Sequence, residues 1–146
     1  MKNSKILGLD LGEKTMGIAI SDLSQLISIP LEVFRFENHK YDKAIAYLLN
    51  LCEEKEIKKV VLGLPKHMNG DLGLKAQISE KFKEELNKNN IEVILIDERY
   101  TSKIATNTLI EGGFSRKKRK TLIDKMAAQI ILQSYLDKRR KEKDYE

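Results

Sequence analysis

Three acidic stretches stand where a folded chain rarely tolerates charge. Asp10 closes KILGLD (5–10), which reads as a buried strand, and Asp97-Glu98 closes a second apolar run, IEVILID (91–97), in IDERYTS. Asp124 interrupts the apolar helical stripe of TLIDKMAAQIILQSYLD. Carboxylates are seldom buried without a partner, and three of them gathered together would repel. A hard divalent cation is their natural compensation, because Mg²⁺ takes a few carboxylates together with waters and phosphate oxygens. Two such ions about 4 Å apart can activate water and stabilise the leaving oxygen in phosphodiester cleavage.

The topology such chemistry needs is specific. In open α/β sheets, ligands bind beyond the carboxyl ends of the strands. If the first and last strands lie parallel and adjacent, Asp10 and Glu98 reach one edge, and a final helix lying across that edge adds Asp124. Gly8 and Gly12, on either side of Asp10, would then let backbone approach metal and phosphate closely. Plainer alternatives exist: Asp124 near a helix start could serve the helix dipole, and Asp97 and Glu98 could be loop charges.

Positive charge is clustered as well. The net charge is +5 and the pI about 9.2, with a basic run at Arg116, Lys117, Lys118, Arg119 and Lys120 and a second in KRRKEK at 138–143. Such clusters are the electrostatic footprint of a protein that binds phosphate backbones. The first run abuts the suspected site and is assigned to nucleic acid; the second reads as a solvated tail. Arg99, next to the acidic pair, could hold a phosphate bidentately or form a surface ion pair. His39 and His67 fall in polar loops and read as solvated. GEKT (12–15) lacks the spacing of a phosphate-binding P-loop, and Thr101 and Ser102 read as a helix cap rather than nucleophiles.

The elements that must position these residues follow from periodicity. Strands are expected over 5–10 and 16–21, joined by a Gly-containing turn of hairpin length. A third strand in ISIPLEVFRF (27–36) carries Pro30, the mark of an edge or an irregular start. Helical stripes run through 41–57, 73–89, 101–112 and 121–140, the last with apolar positions 122, 123, 126, 127, 130, 131 and 135. Two further strands are expected over 58–65, stopped by Pro65, and 91–97. Three early strands followed by alternating helices and strands argue an α/β fold with a mixed sheet. No repeat, linker or composition break appears, so one domain is expected over 1–146, with a basic tail from about 138. No apolar run approaches the roughly 20 residues that span a bilayer, and the N-terminus enters a strand pattern at once. One cysteine, Cys52, excludes an internal disulfide and reads as a small buried hydrophobe. A cytoplasmic protein is expected.

GLDLGEKTMGIAISD, VVLGLPKHMNG, IDERYTS and LIDKMAAQIILQSYLD, in this order and spacing, resemble the YqgF/RuvX family over essentially the whole chain. The resemblance implies a ribonuclease H-like fold, a five-stranded mixed sheet flanked by helices: three antiparallel strands, then parallel crossovers. It implies a nuclease, a hydrolase of phosphodiester bonds, acting on the 5′ end of pre-16S ribosomal RNA in ribosome biogenesis or on Holliday junctions. The family's acidic motifs fall on Asp10, Glu98 and Asp124, with Mg²⁺ or Mn²⁺ as the cofactor and two ions expected with substrate. One departure stands out: the family usually has Lys-Arg where this chain has Lys14-Thr15, so Lys14 is the remaining basic contact there. Competing readings are a resolvase of branched DNA, a nucleotide-binding domain of the sugar-kinase and actin type, and a non-catalytic RNA-binding module. The actin-type reading would need two domains to enclose a nucleotide. A monomer or a homodimer fits equally, although paired cuts in a junction would require the dimer.

Overall fold

The computed structural model describes residues 4–63, 72–96 and 112–144, with backbone alone at 72, 75, 119–125, 143 and 144. In chain order the elements are β1 (Leu7–Leu11), β2 (Thr15–Ser21), β3 (Ser28–Arg35), α1 (Tyr41–Glu54), β4 (Lys59–Gly63), α2 (Leu72–Asn87), β5 (Glu92–Ile96) and α3 (Arg116–Asp144). The five strands form one sheet in the order β3-β2-β1-β4-β5. β1 pairs antiparallel with β2 and parallel with β4, β2 pairs antiparallel with β3, and β4 pairs parallel with β5. The expected sequence of antiparallel hairpins followed by parallel crossovers is therefore present. The condition that the first and last strands be adjacent is not met, because β4 lies between β1 and β5.

Strand alternation divides the core into two layers. Leu7, Leu9 and Leu11 of β1 enter one layer with Leu48 of α1 and Phe82 and Leu86 of α2. Ile6, Ala19 and Val61 enter the other, against Ala128, Ile131, Leu132 and Leu136 of α3. The stripes expected for α1 and α2 are the buried ones, and Cys52 is buried among them, its thiol pushed up to about 12 by desolvation. α1 and α2 stop earlier than their periodicity suggests. Glu56 and Asn90 take left-handed φ values of 56° and 61°, and the next N–H, of Ile57 or Ile91, donates back to the carbonyl of Cys52 or Leu86. Each stop buries an isoleucine just past the helix end, as the Schellman motif does.

β3 is an edge strand, and Pro30 sits at an irregularity in it. Ile18 pairs with Glu32 and Ala19 with Pro30, so Leu31 is the extra residue of a bulge. The β2–β3 loop is organised by Asp22, whose carboxylate accepts hydrogen bonds from the Ser24 hydroxyl and the N–H groups of Leu26 and Ile27. The Ser24 bond first, then the two backbone N–H groups, hold its carboxyl at about 2, below its ordinary 3.8.

The layer under α3 rests on a bare strand. A Cβ on Gly8 would fall 2.6 Å from the Leu132 Cβ and 3.0 Å from the Ala128 carbonyl oxygen. Gly8 is thus spent on helix packing and not, as expected from the sequence, on admitting a ligand. Gly12 has a turn role instead: its N–H donates to the Thr15 carbonyl at 2.8 Å, closing the β1–β2 hairpin.

Two outcomes follow. Gly8→Ala should destabilise the fold by about 1–3 kcal/mol in urea unfolding, since α3 must lift to admit the methyl group; unchanged stability would contradict the close packing. For Asp22 the folded pKa is depressed, so its stabilisation is present above the unfolded value and lost as pH falls through the folded one. Asp22→Asn should be less stable than wild type at neutral pH. That difference should close as pH falls from 3.8 towards about 2, as followed by thermal melts.

Candidate active site

Asp10 lies at the carboxyl end of β1, the strand where the sheet changes from antiparallel to parallel pairing. Its neighbours across the ladders are both glycines, Gly17 on β2 and Gly63 on β4. Paired residues share a face, so neither ladder partner places a side chain beside the carboxylate. The Asp10 side chain is half-buried and makes no hydrogen bond or ion pair with another described residue. Among the described residues, this carboxylate lacks the partner that burial ordinarily demands.

α3 supplies the opposite wall. Leu132 packs over Gly8, and the Ala128 Cβ lies 3.7 Å from where a Gly17 Cβ would stand. As residue numbers fall along α3, the helix therefore advances towards the carboxyl end of β1. The buried series is 128, 132 and 136 at i, i+4 spacing, together with Ile131. The expected stripe contained Ile131 but missed the other three, because residues 122–136 are apolar around most of the helix. Position 124 is the next member of that i, i+4 series, one turn beyond Ala128 at the edge that carries Asp10.

The start of α3 also differs from expectation. The helix begins at Arg116, not 121, and the Ser115 hydroxyl accepts the Lys118 N–H at 3.3 Å as its cap. Asp124 is therefore eight residues inside, about 12 Å from the start. The helix-dipole reading of Asp124 falls with that distance, since the effect fades beyond the first turn. Arg116, Lys117 and Lys118 are exposed in the first turn of α3. Cations there oppose the dipole, so the run costs the helix stability and raises positive potential on the Asp10 side of the domain. Arg119 and Lys120 follow in the same helix, but their side chains lie outside the described residues.

Glu98 and Arg99, with Asp97, Thr101, Ser102 and His67, also lie outside the described residues. The described part of β5 ends at Ile96, which pairs with Gly63 at the level of Asp10. Lys14 is exposed in the β1–β2 turn, where its carbonyl accepts the Phe36 N–H. Thr15, the departure from the family pattern, has Arg35 as its cross-strand partner, so a cation still stands beside that position. His39 is exposed, as expected, near Glu13 at 4.0 Å. The second basic run is partly tied down: Arg139 donates to the Gln25 side chain at 2.6 Å, and Arg140 pairs with Asp137 at 3.3 Å.

A polar clamp that the sequence reading missed fixes the helix against β3. Gln133 accepts the Ser28 N–H at 2.8 Å and donates to the Leu26 carbonyl at 2.9 Å. The Ser28 hydroxyl donates to the Gln129 carbonyl at 2.8 Å, and the Gln129 amide to the Ser28 carbonyl at 3.2 Å. The signal was two glutamines four apart inside AAQIILQSYL. A larger open depression of about 570 Å³, lined by Tyr47, Asn50, Glu53 and Glu54, involves α1, on the other side of the sheet from Asp10.

A five-stranded mixed sheet of this order, crossed by a long helix on the face of a central-strand aspartate, is of the ribonuclease H-like class. Thermus thermophilus RuvC, solved in complex with a Holliday junction substrate, superposes with a TM-score of 0.56 at 14% identity over 88% of this chain and 91% of that one. The RuvX family, described as Holliday junction resolvase, matches residues 4–138. A protein of Lactococcus lactis subsp. cremoris (strain MG1363), provisionally named a pre-16S rRNA nuclease, is 46% identical over 135 residues, 92% of this chain and 94% of its own. One of the same provisional name from Staphylococcus epidermidis is 43% identical over 139 residues, 94% of this chain and 98% of its own. The chain belongs to the RuvX family, and with it to the nucleases, enzymes that hydrolyse phosphodiester bonds.

Asp10, with no side-chain partner among the described residues, makes a stability test possible. In EDTA at neutral pH, Asp10→Asn should melt higher than wild type, by on the order of 1 kcal/mol, because it removes a half-buried charge that no described residue pairs. Excess Mg²⁺ should raise the wild-type melting temperature by mass action and the variant's much less. A variant that melts lower in EDTA would make Asp10 a structural hydrogen-bonding residue instead.

Proposed function

We propose that Asp10, Glu98 and Asp124 together hold Mg²⁺ or Mn²⁺, two ions when substrate is bound, and that the protein trims the 5′ end of pre-16S ribosomal RNA. The observation that carries the reading is Asp10 itself: half-buried, without a side-chain partner among the described residues, flanked by two glycines, and facing the helix register that leads to position 124. Three carboxylates form an oxygen-only donor set, which suits a hard cation that keeps water and phosphate oxygens in its shell. Bound there, such ions supply activation of water and stabilisation of the leaving oxygen.

The chain's own residues do the rest. Asp10, on the central strand of the sheet, is a rigid anchor that costs little to reorganise during reaction. The glycines at 17 and 63 leave the phosphate a path to it. Arg116, Lys117, Lys118, Arg119 and Lys120, with Lys14 and Arg99, draw the phosphate backbone to this edge by charge alone. Phosphate contacts position a nucleic acid but carry no sequence information. The names of the close relatives favour ribosomal RNA, and the family description keeps branched DNA as the second reading.

Purified protein incubated with Mg²⁺ and either labelled pre-16S RNA or a four-way DNA junction tests this directly. RNA cleavage is expected; cleavage of the junction alone would transfer the assignment to the resolvase reading. Asp10→Asn, Glu98→Gln and Asp124→Asn should each lower cleavage by about 100-fold or more while the protein stays folded. Near-wild-type activity in Asp10→Asn would sink the metal assignment. Changing the five cations of 116–120 to Gln should flatten the log–log salt dependence of duplex binding by about 2 to 3 if two or three touch phosphate. An unaltered slope would make the run a solvated face.

A further inference from the structure

Gly8 and Gly17 both lie on the face covered by α3, but packing explains only Gly8. A Cβ on Gly17 would stand 3.7 Å from the Ala128 Cβ and 3.7 Å from the Asp10 Cβ, which is ordinary contact, and its backbone lies outside the left-handed region. A side chain would therefore be accommodated at its root. Glycine in a strand interior weakens the strand, and it often marks a place where something else must approach closely.

The space beside Gly17 shows what that is. A groove of about 120 Å³ opens between α3 and β3, lined by Gly17, Pro30, Val33, Ala128 and Gln129 among others. Gly17 pairs with Asp10, so the groove begins beside the carboxylate. Its walls mix apolar Gly17, Pro30, Val33 and Ala128 with polar groups at Glu32 and Gln129, and the bulge at Pro30–Leu31 shapes its outer side. Two residues beyond Val33, on the same face of β3, comes Arg35, which is exposed and has no ion-pair partner among the described residues.

We propose that this groove is a nucleotide subsite. It seats the sugar and base of one unpaired nucleotide next to the phosphate held at Asp10, while Arg35 takes the neighbouring phosphate. This rests on the nuclease reading above and adds where the strand runs and that it is single-stranded at the site. A base presents flat, largely apolar faces that suit the glycine, alanine, proline and valine of the groove, and the sugar hydroxyls face its polar rim. Arginine offers the forked donors that match a phosphate. A groove of about 120 Å³ is too small for a base pair, so only an unpaired nucleotide can enter it, with part of that nucleotide remaining outside.

The test is binding of a labelled RNA hexanucleotide in Ca²⁺, compared with a six-base-pair duplex, alongside thermal melts. Gly17→Ala and Gly17→Val should melt at or above wild type, unlike Gly8→Ala, and Gly17→Val should bind the single strand about tenfold more weakly. Arg35→Gln should also lose about tenfold and reduce the salt slope by about 0.7. Lys55→Gln, at the far end of α1, should change nothing. Wild-type hexanucleotide binding that survives in a folded Gly17→Val overturns the subsite alone, as does tighter binding of the duplex. If Gly17→Val does not fold, Gly17→Ala decides: weaker binding supports the subsite and unchanged binding overturns it. Wild type that binds neither strand nor duplex overturns the nuclease reading with it.

Discussion

The structure depends on the contact between α3 and the bare face of β1. With no side chain at Gly8, Leu132 and the Ala128 carbonyl settle onto the strand backbone, closer than any substituted strand allows. That contact fixes how far the helix reaches along β1, and the Ser28–Gln129–Gln133 clamp fixes it from the β3 side. Apolar packing alone tolerates sliding, since one leucine contact resembles another, whereas these hydrogen bonds have one register. The position of residue 124 relative to Asp10 is thus inherited from contacts several residues away.

Charge is arranged along the same helix. Its first turn carries cations that its own dipole disfavours, on the side where Asp10 has no described partner. Near its far end, Arg139 is held by a hydrogen bond to the Gln25 amide and Arg140 is paired with Asp137. A fold selected for stability alone would arrange neither the exposed first-turn run nor a half-buried carboxylate with no partner among the described residues. Both suit the proposed site, in which the run would draw in phosphate and the carboxylate would hold the metal.

Much of this was legible in the sequence. Continuous apolar runs gave the five strands, Pro30 marked β3 as the edge, and spacing of three and four placed the buried stripes of α1 and α2. Strand order was not legible, because which parallel strand lies beside β1 is decided by how the crossovers pack, and β4, not β5, took that place. The buried face of α3 escaped because apolar residues surround the helix, and its start escaped because RKKRK masked the Ser115 cap. The glycines show the limit best. Gly8, Gly12 and Gly17 look alike as letters, yet one admits a helix, one closes a turn and one leaves space beside Asp10, and only the atoms opposite each tell them apart. The prominence of Asp10 was legible from its own position; its grouping with Glu98 and Asp124 rests on the family pattern and on the helix register.

The central claim is that a divalent cation binds where the carboxyl end of β1 meets α3. Titrating ¹⁵N-labelled protein with substoichiometric Mn²⁺ reads this directly, because the paramagnetic ion erases amide signals near its site. The expected result is loss of the amides of Asp10, Leu11, Gly63 and residue 124, with Ser21, Ser28 and Gln133 at the opposite edge retained, and no such loss in Asp10→Asn. Broadening centred elsewhere, or a pattern that Asp10→Asn leaves unchanged, would contradict it.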